Sequence, residues 1–198
     1  TSVVSHDLRN PLNVAQGHLD LARETCDTDH LDQVADAHDR MNALIEDVLT
    51  LAREGKAVTD TETIDLAVLT KRCWRNVATA GATLETDLSR SLEADKSRFQ
   101  QLLENLIRNA IEYGGTDVTV TIGKLQDGFY VADNGPGIPE DYLDDVLTPG
   151  YSTSEDGTGF GLAIVKEVAD AHGWEIAVSN GSEGGARIEV TGVAFTSP

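Results

Sequence analysis

The chain of 198 residues is poor in basic, aromatic and sulfur-containing residues. Its 15 Lys and Arg residues face 34 Asp and Glu residues, which gives a formal net charge of −19. A surface this acidic repels nucleic-acid phosphates and anionic lipids, so neither nucleic acid nor a membrane surface is an expected partner. The acidity is typical either of an ordinary solvated surface or of adaptation to a high-salt cytoplasm, where ions screen the self-repulsion.

Only two cysteines are present, Cys26 and Cys73, and they lack the CxxC spacing that indicates a metal or redox site. We expect two free thiols in a reducing compartment and no zinc site at these cysteines. The sequence also lacks an apolar run long enough to cross a bilayer and a cleavable signal pattern. We therefore expect this stretch of chain to be cytoplasmic, whether or not a longer protein is anchored in a membrane.

Two amphipathic helices are predicted within residues 1–54. Apolar residues recur at intervals of four and three in both, and the stripe of the second helix, which Asp29 can cap, runs through Leu31, His38 and Ile45. Residues 26–30 form the predicted turn. Two helices cannot bury both stripes alone, so we expect a second copy to complete a dimeric four-helix bundle.

The rest of the chain has a different pattern. A polar linker is predicted at residues 55–62, and residues 63–198 mix helices with strands. Helices are predicted at residues 65–77, 95–113 and 162–171, and strands at residues 82–87, 91–93, 117–124, 128–132, 175–179 and 186–193. The predicted fold class is therefore α+β, an antiparallel helical hairpin followed by an α/β two-layer sandwich.

Two glycine-rich segments carry candidate chemistry. Residues 157–166 read GTGFGLAIVK, in which glycines open a helix and allow backbone N–H groups to approach a phosphate. Residues 133–139 read DNGPGIP, where Asp133 can accept a hydrogen bond from an exocyclic amine such as that of adenine. Gly135 and Gly137 would let the chain bend around the base. Either segment alone is equally typical of an ordinary turn.

A third segment lies on the predicted helix 95–113. At about 100° per residue, Gln101, Asn105, Asn109 and Glu112 share the face opposite the Leu/Ile stripe, so we expect them to be exposed. Two Asn residues one turn apart are poor helix formers without a packing role on such a face. Their side-chain oxygens suit Mg²⁺ that is held together with phosphates and water. Asn109, and secondarily Asn105, are therefore candidate magnesium ligands.

The order of these segments resembles a known superfamily. LLENLIRNAIEYG is similar to the N box, VADNGPGIP to the G1 box and DGTGFGLAIVK to the G2 box of the Bergerat-fold ATPases. That superfamily contains histidine kinases, gyrase-type topoisomerases, heat-shock chaperones and mismatch-repair ATPases. SHDLRNPL, at residues 5–12, resembles the phospho-acceptor H box that only the histidine kinases carry. By this resemblance the chain is identified as the catalytic core of a sensor histidine kinase.

The resemblance implies a protein histidine kinase that uses ATP and Mg²⁺. Residues 1–54 would be the dimerisation and phosphotransfer hairpin, and residues 63–198 the ATP-binding domain, with a sensor domain upstream. The expected reaction is autophosphorylation on His6, followed by transfer to an aspartate of a response-regulator receiver domain. The implied nucleotide-binding residues are Asn105, Asn109, Asp133, Gly135, Gly137, Gly157, Thr158, Gly159, Gly161 and Leu162.

His6 also fits an acceptor on chemical grounds. It lies about 160° around the predicted helix from the apolar stripe, with Asn10 one turn further on the same face. A neutral imidazole is a good nucleophile, and the ordinary pKa of histidine keeps a neutral fraction available near pH 7. Asp7 is placed to act as a general base or to orient the ring. The HDxxN pattern that includes Asn10 resembles the family's phosphatase motif, and Pro11 should kink the helix just beyond His6.

Several positions depart from the family pattern. Glu112 stands where relatives often have Lys or Arg, acidic Glu155 and Asp156 precede the glycines of the G2 box, and VLTPGYST lacks the usual Phe. Arg108 is the candidate to balance this charge.

Two alternatives stay open: a phosphatase-biased or inactive nucleotide-binding dimerisation module, and an ATP-driven clamp, against which the H box argues.

Overall fold

The computed structural model describes residues 11–19, 21–22, 29–51, 58–77, 81–115, 117–143, 145–150, 159–181 and 184–196. The chain divides into two compact units, Thr1–Glu54 and Gly55–Pro198. No helix in the described ranges combines the length and the apolar character that crossing a membrane requires. The predicted mixture of helices and sheets is confirmed.

The first unit is helical wherever it is described. Helix α1 covers residues 11–19, residues 21–22 are also helical, and α2 covers Asp29–Leu51. Ala15 of α1 is buried, as are Ala37 and Leu44 of α2. The buried stripe of α2 therefore lies one residue to the side of the predicted one.

Leu31, His38 and Ile45 of the predicted stripe are all exposed in the single chain. The prediction that a second copy buries this stripe stays a prediction. Two helices bury only the faces that they turn towards each other. What is left outside includes five large apolar side chains, Leu12, Val14, Leu21, Leu31 and Ile45. The helix α2 also begins at Asp29, within the residues predicted as a turn.

The second unit contains two sheets. Its strands are β1 (Glu62–Asp65), β2 (Thr83–Thr86), β3 (Ser91–Ala94), β4 (Thr119–Lys124), β5 (Gly128–Asp133), β6 (Glu175–Asn180), β7 (Ala186–Thr191) and β8 (Phe195–Thr196). The larger sheet has the order β2-β4-β5-β7-β6, and the smaller has the order β1-β3-β8. The pair β2–β4 is parallel and all other pairs are antiparallel.

Three helices cover these sheets: α3 (Leu66–Asn76), α4 (Lys96–Gly114) and α5 (Gly161–His172). Asp65 and Asp95 cap α3 and α4 by accepting hydrogen bonds from backbone N–H groups of the first turn, and Gly173, with a φ of 73°, ends α5. Helix α4 packs against α3, α5 and the strands β4 and β5. The predicted two-layer sandwich is confirmed.

The core of the sandwich is aromatic at its centre. Phe99 of α4 packs edge-on against Phe129 of β5 and Trp174, with ring centroids 5.7 Å and 5.6 Å apart. Phe99 and Phe129 are fully buried. These contacts fix the first turn of α4 against the start of β5.

The sequence-based prediction missed the strands β1 and β8 and the single 3₁₀ turn of the described chain, at Glu140–Tyr142. Strand β1 begins inside the predicted linker, and only Ile64 of its four residues is buried, so it has no recognisable alternation. Strand β8 has two residues. Strand β7 ends at Thr191 rather than residue 193, because Gly192 has a φ of 76°.

Candidate functional site

Asp133 is the last residue of β5 and is half-buried. Its Oδ1 atom accepts hydrogen bonds from the backbone N–H groups of Gly135, at 2.8 Å, and Ala186, at 3.2 Å. Burial raises the pKa of the carboxyl group above its ordinary value, and the two N–H groups oppose that shift. Both bonds use Oδ1, so Oδ2 can accept a hydrogen bond from a ligand.

The glycine at 135 is required by a close approach of two backbones. A Cβ atom there would lie 2.5 Å from the Cα atom of Gly114, the last residue of α4. Gly137 has a φ of 77°, and a Cβ on it would lie 2.7 Å from Oδ1 of Asn180. The segment after Asp133 therefore runs tightly between α4 and β6, as the DNGPG pattern predicted for a bend.

Asn180, at the end of β6, holds this segment in place. Its Oδ1 accepts from the N–H of Ile138, and its Nδ2 donates to the carbonyl of Ile138, both at 2.7 Å. A second amide, Asn134, accepts from the N–H of Thr119 at 2.7 Å. The sequence prediction missed Asn180, since the Asn-Gly pair at 180–181 indicates a turn but not what the side chain binds.

Gly185 is a second residue that the prediction missed. Its φ is 76°, and a Cβ there would lie 1.8 Å from the carbonyl oxygen of Asp133. This contact brings the start of β7 against the end of β5 and lets the N–H of Ala186 reach the carboxylate. The only sequence signal is the Gly-Gly pair before a strand, which is typical of many turns.

The two candidate asparagines of α4 differ in environment. Asn105 is buried, with 4% of its surface exposed, so the prediction that it lies on an exposed face was wrong. The reason is that α4 packs against two helices and a sheet, and its buried face extends past the Leu/Ile stripe. Its Nδ2 donates to the carbonyl of Gln101 at 3.0 Å, and its Oδ1 accepts from Nη1 of Arg108 at 3.3 Å.

Asn109 is half-buried and faces the start of α5. A Cβ on Gly161 would lie 2.9 Å from Oδ1 of Asn109, so the glycine lets the two helices meet at this point. Gly161 and Leu162 are the first two residues of α5, and Gly159, with a φ of 69°, precedes them. The first N–H groups of a helix have no partner inside it and carry partial positive charge. Asn109 therefore lies beside a backbone that suits a phosphate.

The remaining charges lie on the outer side of α4. Arg108 and Glu112 are exposed and line one cavity of about 300 Å³ together with Asn76, Val77 and Ile111. No cluster of three His, Cys, Asp or Glu side chains able to hold a metal occurs within the described ranges.

Two groups of predicted residues meet α4. Gly135, which lies between Asp133 and Gly137 in the chain, approaches Gly114 at the end of α4, and Gly161, which lies between Gly159 and Leu162, approaches Asn109. Asn105 is buried in the same helix. These groups fit a nucleotide: a carboxylate oxygen can accept from an exocyclic amine, N–H groups can donate to phosphates, and an amide oxygen can bind Mg²⁺. Some predicted residues lie outside the described part of the chain: His6, Asp7, Asn10, Gly157, Thr158 and the acidic pair Glu155 and Asp156.

Two protein-family models match the chain. Residues 94–193 match the model of "Histidine kinase-, DNA gyrase B-, and HSP90-like ATPase", and residues 1–56 match the "His Kinase A (phospho-acceptor) domain". The first match covers half of the chain and includes every described site residue. The second includes the H box.

Individual proteins are similar over nearly the whole chain. The sensor histidine kinase ZraS of Salmonella typhi is 31% identical over 209 residues, which span 98% of this chain and 43% of ZraS. The solved structure of ShkA in complex with AMPPNP has a TM-score of 0.67 and 26% identity, and the match covers 100% of this chain and 46% of ShkA.

A second solved structure shares the fold. The histidine kinase ThkA, solved in complex with the response regulator protein TrrA, has a TM-score of 0.71 and 24% identity, and the match covers 96% of this chain and 60% of ThkA. The chain spans less than half the length of ZraS and of ShkA.

Proposed function

Because this chain belongs to the histidine kinase family, we propose that it transfers the γ-phosphoryl group of ATP to its own His6 and then to an aspartate of a response-regulator receiver domain. The observation that carries the nucleotide half of this proposal is the carboxylate of Asp133. Two backbone N–H groups orient it at the end of β5, and Oδ2 is left for a ligand.

The adenine base is proposed to bind at Asp133. A carboxylate oxygen pairs with the exocyclic amine of adenine, whereas guanine presents a carbonyl oxygen at the same position and would place two acceptors against each other. Gly135 and Gly137 keep side chains out of the path of the base. Similarity to ShkA, whose structure contains the ATP analogue AMPPNP, supports a nucleotide here.

The phosphates are proposed to lie at the start of α5, beside Asn109. The residues Gly157, Thr158, Gly159, Gly161 and Leu162 would offer N–H groups to the phosphate oxygens, as the start of a helix does for anions. Mg²⁺, bound mainly by the phosphates and by the oxygen of Asn109, would neutralise the charge that develops during transfer. Asn105 is proposed to act indirectly, because its Oδ1 accepts a hydrogen bond from the guanidinium group of Arg108 and so orients that side chain.

His6 is proposed as the acceptor and Asp7 as the residue that orients it or takes its proton. A nitrogen lone pair of the neutral imidazole attacks the γ-phosphorus, the bond to the β–γ bridging oxygen breaks, and ADP leaves. After the attack the ring would carry a positive charge, and its N–H proton passes to a base such as Asp7, so that the phosphorylated ring is neutral. The match of residues 1–56 to a phospho-acceptor domain supports this assignment.

We further propose that the first unit forms a homodimer and contacts the receiver domain. A second hairpin would bury the five large apolar side chains that are exposed in the single chain, which lie on α1, on α2 and at Leu21, as in a four-helix bundle. A receiver domain is proposed as the second partner because the similar kinase ThkA was solved with a response regulator.

Incubation with γ-labelled ATP and Mg²⁺ tests the reaction class. A histidine kinase retains label on the protein that is lost in acid and stable in base, as expected of a phosphoramidate. An ATP-driven clamp releases labelled phosphate without retaining it, and an inactive module binds ATP and does neither. Either of the last two results would refute the proposed function.

A further inference from the structure

Two histidines of the first unit meet across its two helices. His18 of α1 and His30 of α2 have Nδ1 atoms 3.1 Å apart, and both side chains are half-buried. The ring centroids are 5.3 Å apart, and the ring planes are tilted by 41°. The two Nδ1 corners therefore face each other. Neither residue belongs to the H box or to the nucleotide site.

We propose that His18 and His30 form a binding site for a late first-row divalent cation, represented by Zn²⁺, which joins α1 to α2 through the two Nδ1 atoms. Imidazole nitrogen is a preferred ligand of Zn²⁺, Cu²⁺ and Ni²⁺. With Zn–N distances of about 2.0–2.1 Å, two nitrogens 3.1 Å apart subtend an angle of about 98° at the ion. This angle lies between those of octahedral and tetrahedral coordination.

The cation takes the place of the hydrogen bond between the two Nδ1 atoms. Two neutral imidazoles at this separation interact favourably only when one Nδ1 donates and the other accepts. On metal binding, the donor ring moves its hydrogen to Nε2, so that both Nδ1 lone pairs are available to the ion. Both rings stay neutral, and a small rotation of each ring directs its lone pair to one point beside the line that joins the nitrogens.

Two properties of the chain determine the strength and selectivity of this site. Within the described ranges no third His, Cys, Asp or Glu forms a cluster with the pair, and a site with two protein ligands binds more weakly than a closed four-ligand site. The net charge of −19 raises the local concentration of cations. Mg²⁺ prefers oxygen ligands and should not compete.

Calorimetric titration of the whole, EDTA-treated chain with ZnCl₂, in the presence of excess Mg²⁺ and without nucleotide, tests the proposal. One zinc ion should bind per chain. His18→Ala and His30→Ala should each weaken binding by at least about tenfold, since even outer-shell changes cost that much. His38→Ala is the matched control, because His38 is also on α2 but is exposed, and it should bind zinc like the parent.

The thermal midpoint of the first unit gives a second measurement. A ligand that binds only the folded hairpin raises the midpoint with the logarithm of its concentration, and this rise should be absent in both alanine variants. If a variant loses its helicity, imidazole ¹⁵N spectra of the parent decide, since zinc should shift the Nδ1 signals of His18 and His30. Unshifted signals, no saturable binding, or parental affinity in His18→Ala would overturn the proposal. None of these measurements involves ATP, so they are independent of the proposed kinase reaction.

Discussion

Asp133→Asn should weaken ATP binding without lowering the stability of the fold. The substitution keeps the shape of the side chain, and the amide oxygen can still accept from the N–H groups of Gly135 and Ala186, as Oδ1 does now. What changes is the second atom, because an NH₂ group replaces Oδ2. A donor then faces the exocyclic amine of adenine, which is also a donor.

The expected loss of affinity follows from the bond that is removed. A hydrogen bond to a charged group contributes about 1.5–3 kcal/mol. With about 1.4 kcal/mol for each factor of ten, ATP affinity should fall on the order of 10- to 150-fold. Stability should not fall with it. Burial raises the pKa of Asp133, so the ionised form disfavours the folded state at neutral pH, and a neutral amide removes that cost.

Calorimetric titration with ATP·Mg²⁺ and a thermal unfolding curve measure the two quantities. Asp127→Asn is the matched control, since it removes the same charge from an exposed turn and should change neither. The parent should also prefer ATP to GTP. ATP affinity within twofold of the parent, or an unfolding midpoint that falls clearly below it, would show that Asp133 does not act as described.

Three further predictions concern other parts of the chain. Burial lowers the pKa of His172 below 6.5, and its Nε2 accepts from the N–H of Asp95. The contribution of neutral His172 to stability is therefore present above pH 6.5 and is lost as pH falls through the folded-state pKa. The unfolding midpoint should fall less between pH 7.5 and pH 5 in His172→Phe than in the parent. Asn10→Ala should keep autophosphorylation and slow dephosphorylation of the regulator, as followed by loss of label from its receiver domain; a parallel loss of both would make Asn10 structural. ATP affinity and unfolding midpoint should rise towards 1 M KCl, where the Debye length is about 3 Å, and Glu112→Lys should flatten the salt dependence of ATP affinity alone; a parent most stable at low salt would contradict this.

The tight backbone of the two glycine-rich segments was predictable, because spaced glycines next to a strand or at the start of a helix indicate positions where a side chain does not fit. A β-strand that runs into Asp-Asn-Gly-Pro-Gly, and a helix that opens with spaced glycines, both point to backbone conformations that side chains would prevent. The structure agrees at Gly135 and Gly161, where an added Cβ would collide with α4 or with Asn109.

What could not be predicted depends on packing between distant segments. Helical periodicity assigns Asn105 to a face, but it does not reveal that α3, α5 and the sheet all pack on α4. Asn180 contacts a residue 42 positions away, and Ala186 reaches Asp133 over 53 positions. Those contacts depend on the register of β5, β6 and β7, which strand patterns alone do not determine.

The first helices show the same limit in another form. Intervals of three and four correctly predicted two amphipathic helices, yet the buried stripe of α2 includes Ala37 and Leu44 rather than Leu31 and Ile45. A helix with apolar residues on more than one side can turn either side towards its neighbour. The choice depends on the partner surface, including any second chain.

The position of the phosphoryl group after reaction with ATP tests the central claim most directly. The parent and two variants, His6→Ala and His38→Ala, are incubated with γ-labelled ATP and Mg²⁺, and retained acid-labile label is measured together with ATP affinity. The account predicts that His6→Ala loses the label and keeps the affinity, while His38→Ala, which removes an exposed histidine of α2, keeps both. Near-parental labelling of His6→Ala would contradict it.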